Sequence, residues 1–290
     1  MKKIVAIVLL ASFVPAQLVA WGPKGHQIVG DIARSRLTPT TQKNLELLLG
    51  STDLASIANW ADEVRPQRPE AYGWHFVDIP KDAAGYSAER DCFRPDPKHE
   101  NTLTDHHNCV VDRIEMFSQV LGDPRASREQ RLEALKWVVH FIGDLHQPLH
   151  AIDEARGGND LKIVEFGSTQ CGKYECNLHW AWDSDILEHT GYSEAEYVGR
   201  LNKLIERQHL EAQAGGTVTD WANESHNEAR AIVNQKPAVV DDAYYRANID
   251  LINRRLALAG LRLAAVLNKT LGNIPTATLK QDLEMRSHAM

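Results

Sequence analysis

Long apolar runs are scarce in this sequence of 290 residues. A membrane-spanning helix needs about 18 uninterrupted apolar residues, and no segment after residue 20 provides them. The apolar run at 4–14 is too short for a membrane anchor, and it lies between Lys2-Lys3 and Ala20. Basic, apolar and small residues in this order are typical of a secretory signal peptide. We therefore predict a signal peptide at 1–20, a secreted or periplasmic location and a mature chain that begins at Trp21.

Positive charge is also in short supply. Residues 1–20 contain two lysines and no acid, so removing them lowers the basic side chains from 32 to 30 against 39 acidic ones, a formal net charge of −9. A strongly basic protein that binds nucleic acid through its overall charge is thereby excluded.

Cysteine is rare, and no Cys-x-x-Cys spacing occurs among the four cysteines. A cysteine-rich zinc site is therefore the weaker interpretation, and an exported chain favours two disulfides, for which three connectivities exist. Because Cys171 and Cys176 enclose a short turn, we pair them with each other and Cys92 with Cys109.

Apolar residues recur at helical spacing through most of the chain. Thr38-Pro39 and Gly50 are typical first and last signals of a helix, and Pro66 requires a helix over 53–64 to end before it. Ser127-x-x-Gln130 predicts a capping box. Further helical patterns cover residues 104–121, 178–189, 193–211, 219–233 and 241–268. Only 74–79 and 161–166 are predicted to be extended.

These patterns predict a mainly α fold with one small β-hairpin. Length alone allows one or two domains, but no low-complexity linker divides the chain, so we expect a single multi-helix domain over 21–270. Residues 271–290 have mixed polarity without a clear period, and we expect them to form a loosely attached tail.

Two pairs of potential metal ligands have a spacing of four residues, which places both members on one face of a helix. They are His140 with Asp144, and His179 with Asp183. An isolated pair of this kind is usually solvated or hydrogen-bonded, but His140 and Asp144 lie among residues with the pattern of a core helix. A buried charge needs a partner or a metal ion.

Pro148 should end or kink this helix, because it lacks an amide hydrogen and clashes with the carbonyl of Asp144. His150 points about 80° away from His140 even on a continuous helix, so it should serve a different ion. His146 also points away from the His140 face, and we interpret it as a core histidine or one that supports a ligand.

Several motifs together resemble, in order, those of the S1/P1 type zinc nucleases. They are Trp21-Gly-x3-His26, Trp60-Ala-Asp62, His75-Phe-Val-Asp78, the segment 140–150 (HFIGDLHQPLH), Gly157-Gly-Asn159 and Asn177-Leu-His179-x3-Asp183. The resemblance extends from about Trp21 to Leu267, and the segment 140–150 is its most specific part. It implies a mainly α fold similar to that of zinc-dependent phospholipase C and this nuclease family.

The resemblance also implies three zinc ions. The first would be bound by Asp62, His75, His140 and Asp144. The second would be bound by His150, His179 and Asp183. The third would be bound by His26, by Asp144 as a bridging carboxylate, and by the amine and carbonyl oxygen of Trp21. Nitrogen and oxygen ligands suit zinc, and the ions would bring positive charge into the cleft of an acidic protein.

The implied activity is hydrolysis of single-stranded DNA and RNA to 5′-phosphate products, together with 3′-nucleotidase activity. Asp62 would orient a metal-activated water, and Arg65, one turn further along, would stabilise charge on the phosphoryl oxygens. The alternative role for Arg65 is that of an ordinary surface arginine. We expect a monomer.

The resemblance places Phe76 and Asp78 in a base-binding pocket, where Phe76 would stack on a base and Asp78 would accept hydrogen bonds from its edge. Stacking tolerates every base but requires an unpaired one, which favours single strands. Asn159 would contact the substrate phosphate. The alternatives are a packed phenylalanine, a solvated aspartate and a structural turn at Gly157-Gly158-Asn159.

Two other functions use similar ligands. In a zinc-dependent phospholipase C, the histidine after the terminal tryptophan lies further along, and the last ligand is a glutamate, whereas here they are His26 and Asp183. A secreted zinc-sequestering protein would have no use for Asp62 beside Arg65. The nuclease interpretation is therefore preferred.

Overall fold

The structure is a computed structural model that describes residues 21–92 and 108–280. The predicted signal peptide at 1–20 and residues 281–290 of the predicted tail lie outside these ranges. None of the helices in the described part of the chain combines the length and the apolarity that crossing a bilayer requires.

Helices dominate the described residues, as the sequence predicts. The α-helices are α1 (Pro23–Arg34), α2 (Pro39–Leu49), α3 (Leu54–Ile57), α4 (Trp60–Val64), α5 (Ala88–Asp91), α6 (Val110–Gly122), α7 (Arg128–His146), α8 (Leu178–Trp180), α9 (Ile186–Glu188), α10 (Glu194–Gln208), α11 (Val218–Gln235) and α12 (Asp242–Thr270). Short 3₁₀ segments are Arg65–Gln67, Pro69–His75, Pro148–Ala151, Leu210–Gln213 and Leu271–Asn273, and a π-helical segment covers Ala181–Asp185.

Helix α7 lies at the centre of the fold. It packs against α6, α12, α1 and α11, and every residue from Trp137 to His146 is buried. A helix that is buried on all sides shows little amphipathic pattern, and any polar side chain on it must find a partner inside the protein. The ligand candidates His140 and Asp144 therefore lie in the core rather than on a surface.

The predicted helix ends agree with the structure at three places. Thr38 caps α2, and Gly50 ends it with a positive φ of 66°. Ser127 and Gln130 form the reciprocal bonds of a capping box at the start of α7. Helix α7 ends at His146, two residues before Pro148.

The prediction of a single helix over 53–64 is wrong, because the helix is interrupted at Ala58 and Asn59, between α3 and α4. In a continuous helix the carbonyl of Ala58 would accept the amide of Asp62. Instead it accepts a bond from His140 Nδ1 at 2.7 Å, a long-range contact that local pattern does not reveal.

The extended segment predicted over 74–79 is wrong at its start, since Trp74 and His75 belong to a 3₁₀ helix. From Phe76 onward the backbone is extended, but it pairs with no β-strand among the described residues. The Val77 amide donates to the carbonyl of His150 (2.8 Å), and the Phe76 carbonyl accepts the amide of Val110 (3.0 Å). Neighbouring side chains still point to opposite sides, as in a strand, because Val77 is buried while Phe76 lines a pocket.

The few strands of the described residues are short. Strands β2 (Gln170–Cys171) and β3 (Tyr174–Glu175) form one small antiparallel hairpin, which lies outside the two segments predicted to be extended. Strand β1 (Val164–Glu165), within the predicted segment 161–166, pairs in parallel with β4 (Val239–Val240), a pairing that was not predicted. Both predicted disulfides form, Cys92 with Cys109 and Cys171 with Cys176. No cysteine thiolate is therefore left for a zinc site.

The segment after α12 is attached more firmly than expected. Leu271, Ile274 and Leu279 are buried, and the side-chain amide of Asn44 in α2 donates to the carbonyls of Leu271 (2.7 Å) and Ile274 (2.8 Å). The loose attachment predicted from residue 271 is therefore wrong for 271–280, where apolar residues at irregular spacing meet a partner from another helix. The domain boundary at 270 stays a prediction.

Candidate active site

The first cluster of candidate ligands forms around the carboxylate of Asp144. Its Oδ2 lies 3.0 Å from His75 Nδ1 and 3.3 Å from His140 Nε2, and its Oδ1 lies 3.2 Å from His26 Nε2. The two oxygens thus face different histidines, which come from α1, from the 3₁₀ helix Pro69–His75 and from α7. This arrangement suits a carboxylate that bridges two ions, the role predicted for Asp144.

Asp62 completes the same cluster. Its Oδ1 lies 3.7 Å from His75 Nδ1 and 3.7 Å from His140 Nε2. Atoms bound at 2.0–2.1 Å around one tetrahedral ion are roughly 3.3 Å from each other, so the separations in this cluster fit a shared zinc.

A second cluster contains His150, His179 and Asp183. Asp183 Oδ2 lies 3.3 Å from His179 Nε2, Asp183 Oδ1 lies 3.7 Å from His150 Nε2, and the two imidazoles stack with centroids 4.9 Å apart. Asp183 belongs to the π-helical segment, and such segments occur frequently at functional sites. His150 is therefore grouped apart from His140, as predicted from Pro148.

Trp21, the predicted first residue of the mature chain, lies beside these clusters. Its side chain is fully buried, and the amide of Gly22 donates to the carbonyl of Asp183 at 2.7 Å. Helix α1 begins two residues later and carries His26 to Asp144. The predicted role of the Trp21 amine as a ligand is compatible with this placement.

Backbone carbonyls fix the orientation of three histidines. The Nδ1 atoms of His140, His150 and His179 bond to the carbonyls of Ala58 (2.7 Å), His75 (2.8 Å) and Gly157 (2.7 Å). In each ring this leaves Nε2 pointing toward a carboxylate of its cluster, and a carbonyl that holds the far nitrogen is the usual support of a metal-bound histidine.

Nine buried polar atoms of the two clusters lack hydrogen-bond partners among the described residues. They are both ring nitrogens of His26, both carboxylate oxygens of Asp62, Asp144 Oδ1, Asp183 Oδ2, and the Nε2 atoms of His75, His150 and His179. Leaving so many buried groups unsatisfied costs about 1–3 kcal/mol each, and native proteins rarely do so. Divalent metal ions would satisfy these atoms, and a set of imidazole and carboxylate ligands suits zinc.

The pKa values leave most histidines of the two clusters in the neutral form that can bind a cation. Burial lowers the pKa of His75, His150 and His179, and burial with the charge of His140 lowers that of His26 to about 4, so these rings are neutral ligands at pH 7. Burial opposes the charge of His140, but Asp144 and Asp62 outweigh it and raise its pKa to about 9, so a cation bound there would displace the proton of this ring. Burial raises the pKa of Asp183 well above its usual value, which a bound cation would reverse.

A pocket of about 220 Å³ opens onto the clusters, with His75, His150 and His179 in its lining. Its walls also include the residues predicted to contact substrate, namely Arg65, Phe76, Asp78 and Asn159. Arg65 Nη1 lies 3.6 Å from Asp62 Oδ1, and both side chains are largely buried. The side-chain amide of Asn159 donates to the carbonyl of Arg156 (2.9 Å), so the structural turn is present whether or not Asn159 binds phosphate.

Two residues that support the clusters were not predicted. A Cβ atom at Gly143 would lie 2.7 Å from His26 Nδ1, so only glycine lets α1 place that ring against α7. Gln147 is fully buried and donates from Nε2 to Asp183 Oδ1 (2.5 Å), while its Oε1 accepts the amide of Leu149. The segment 140–150 contains both, but their roles depend on partners from other elements.

His146 belongs to a different environment. Its Nδ1 bonds to the carbonyl of Ile142 (2.7 Å) and its Nε2 to Arg262 (2.9 Å), on the side of α7 that faces α12. It is absent from both clusters, in agreement with its predicted role away from the metals.

Comparison with known proteins identifies the family. The chain matches the S1/P1 nuclease family over residues 21–272. It is 31% identical to nuclease P1 of Penicillium citrinum over 87% of this chain and 98% of that one. It is 28% identical to endonuclease 2 of Arabidopsis thaliana over 87% of this chain and 91% of that one. It is 32% identical to nuclease S1 of Aspergillus oryzae over 68% of this chain and 66% of that one.

These relatives are nucleases by name, which supports the nuclease interpretation over phospholipase C. A match that covers nearly all the described residues, together with the resemblance of the motifs, leads to one conclusion: this chain belongs to the S1/P1 nuclease family.

Proposed function

We propose that the chain is a zinc-dependent phosphodiesterase that hydrolyses single-stranded DNA and RNA to 5′-phosphate products and also removes phosphate from 3′-nucleotides. The observation that supports this proposal is the set of unsatisfied buried atoms of candidate ligands next to a pocket whose lining includes Arg65, Phe76 and Asp78. We further propose that the protein is an exported monomer.

Three zinc ions would be held by the two clusters and the chain start. Asp62, His75, His140 and Asp144 would hold the first, His150, His179 and Asp183 the second, and Trp21, His26 and Asp144 the third. When bound, zinc supplies Lewis-acid chemistry, lowering the pKa of water and neutralising negative charge on oxygen.

The side chains next to the clusters have defined tasks in this reaction. Water oxygen adds to phosphorus, the bond from phosphorus to the 3′ oxygen breaks, and the products are a 5′-phosphate and a 3′-hydroxyl. Asp62 accepts a hydrogen bond from the attacking water and orients it. Arg65, 3.6 Å from Asp62, donates hydrogen bonds to the phosphoryl oxygens, where negative charge develops.

The pocket favours unpaired bases. Phe76 follows the ligand His75 directly, so a base stacked on its ring lies beside the clusters, and Asp78 accepts from the edge of that base. A base inside a duplex presents neither a free face nor a free pairing edge. Selectivity for single strands therefore follows from these two side chains.

The proposal is tested by digesting matched single-stranded and duplex DNA and RNA, with and without chelator, and by analysing the product ends. We expect preferential cleavage of single strands, 5′-phosphate and 3′-hydroxyl ends, loss of activity in chelator and recovery with zinc. Asp62→Asn should be nearly inactive, whereas Glu63→Gln, which alters an exposed carboxylate on the same helix, should be normal. Hydrolysis of choline lipids in place of nucleic acid would overturn the proposal.

A further inference from the structure

Tyr72 is an aromatic residue at the rim of the pocket with no role in the function proposed above. It lies on the 3₁₀ helix Pro69–His75, three residues before the ligand His75. The fold leaves it 45% exposed, whereas most aromatic side chains near the clusters are packed inside. A large exposed ring that lines a substrate pocket is a candidate for contact with substrate.

The surroundings of Tyr72 hold its ring in place. Its ring meets Phe76 edge to face, with centroids 6.0 Å apart and planes at 86°, and the Arg65 guanidinium lies over it at 5.4 Å from the centroid. The arginine covers one face, and the exposure of the residue leaves surface for a further stacking partner. The ring is thus oriented before substrate arrives, which lowers the entropic cost of stacking.

Arg65 connects Tyr72 to the site of phosphate hydrolysis, since its guanidinium contacts both Asp62 and the Tyr72 ring. In the proposed reaction, the nucleotide whose 3′ oxygen departs places its base on Phe76, and Arg65 holds the phosphate. Tyr72, whose ring lies under the Arg65 guanidinium, is therefore within reach of the nucleotide on the far side of that phosphate.

We propose that Tyr72 is a stacking platform for a second base, that of the nucleotide on the 3′ side of the scissile phosphate. This inference rests on the proposed nuclease function and deepens it. Because the rings of Phe76 and Tyr72 are perpendicular, bases stacked on them cannot stack on each other. Only an unpaired, flexible strand allows two neighbouring bases to separate in this way, so the pair adds to selectivity for single strands.

The test compares substrates that have and lack the second base. Steady-state kinetics of wild type and Tyr72→Ala are measured on the dinucleotide thymidylyl-thymidine, on the same dinucleotide with an abasic residue on the 3′ side, and on thymidine 3′-phosphate. We expect Tyr72→Ala to raise KM for the intact dinucleotide about tenfold with little change in kcat, in line with the loss of one base–aromatic stack. KM for the abasic dinucleotide and for thymidine 3′-phosphate should not change.

Two variants serve as controls. Tyr72→Phe keeps the ring and should restore the wild-type KM, which a role of the hydroxyl group would not allow. Phe166→Ala removes an aromatic side chain of similar exposure (36%) that does not line the pocket, and it should leave all three substrates unaffected.

The outcomes separate this inference from the proposed function. If wild type cleaves the dinucleotide but Tyr72→Ala raises KM equally for all three substrates, Tyr72 only supports Phe76 or Arg65, and the inference is wrong. An unchanged KM for the intact dinucleotide would also overturn it. If wild type hydrolyses none of these substrates or longer single strands, the proposed function fails and the inference fails with it.

Discussion

Asp144 faces three histidines of the candidate site. Its two oxygens face His26, His75 and His140 at 3.0–3.3 Å, whereas Asp183 faces two histidines, His150 and His179, together with the amide of Gln147. A carboxylate shared by two ions cannot be replaced by a neutral amide, because the amide offers one weak ligand atom and no charge to offset the cations.

The first prediction concerns these two carboxylates. We expect Asp144→Asn to lose two bound zinc ions and Asp183→Asn to lose one. Activity should fall at least about 100-fold in both variants, since mutating even a residue that only supports a ligand lowers metal affinity or activity about 10–100-fold. Metal content is measured by elemental analysis after dialysis. Equal zinc loss in the two variants would contradict the bridging role of Asp144.

Phe76 offers a second prediction at the same scale. If its ring stacks on the substrate base, Phe76→Ala should raise KM about tenfold and leave zinc content unchanged, while Phe76→Tyr should retain the wild-type KM. Steady-state kinetics and elemental analysis on the same preparations provide both readouts. Zinc loss in Phe76→Ala would show that the ring only packs beside His75.

Among the elements, α7 is the one on which the site depends most. It supplies His140 and Asp144, ends where Pro148 redirects the chain, and is held at its C-terminal end by α11 and α12. There the Ser225 hydroxyl donates to the carbonyl of Leu145, and the buried Arg255 donates from Nε to the carbonyl of His146 at 3.1 Å. These bonds satisfy carbonyls that the end of the helix leaves without an amide partner.

The start of α7 provides a prediction about stability. Ser127 accepts the amide of Gln130 in a capping box, so Ser127→Ala should lower the free energy of unfolding by about 1 kcal/mol. Ser87 occupies the same position before α5 but forms no side-chain cap bond, which makes Ser87→Ala the matched control with little expected change. Urea titration of both variants is the measurement, and equal losses would argue against the cap.

For the whole molecule, Trp21, the predicted first residue of the mature chain, is part of the interior. Trp21 is fully buried, and the amide of Gly22 beside it donates to the carbonyl of Asp183. A free terminal amine has a pKa near ~7.7 and can bind a metal at neutral pH, whereas an amide nitrogen cannot, because its lone pair is delocalised.

We therefore predict that one extra alanine before Trp21 lowers both zinc content and nuclease rate relative to a chain that begins at Trp21. Both forms are produced folded, checked by circular dichroism, and analysed for metal and activity. The idea that removal of the leader completes the site would fail if the extended form bound the same zinc and worked at the same rate.

The disulfides allow a further prediction at this scale. Cys92 and Cys109 are 17 residues apart, and Cys171 and Cys176 are 5 apart. Chain-entropy arguments give about 3 kcal/mol for the longer loop and about 2 kcal/mol for the shorter one. Replacing each pair by alanines should therefore destabilise the protein more for Cys92–Cys109, as measured by urea unfolding. The reverse order would contradict this account.

Local signals explain which parts of the fold were predictable. The boundaries of α2 and the start of α7 follow from capping side chains and Gly50, because these act within one helical turn. The break between α3 and α4 and the packing of 271–280 were not predictable, since each depends on a distant partner: His140 for the Ala58 carbonyl and Asn44 for the final turns.

The sequence by itself determined the ligand types, their spacing of four residues and the division between His140 and His150, because helix geometry and the missing amide of Pro148 are local properties. Which residues share a cluster does not follow from these local properties: the family resemblance implied it, and the tertiary structure brings the residues together. His26, Asp62 and His75 come from three separate elements, and Gly143 lets α1 approach α7 closely enough for His26 to reach Asp144. A site built from distant segments of a buried core depends on how those segments pack together, and no single segment of the sequence specifies that packing.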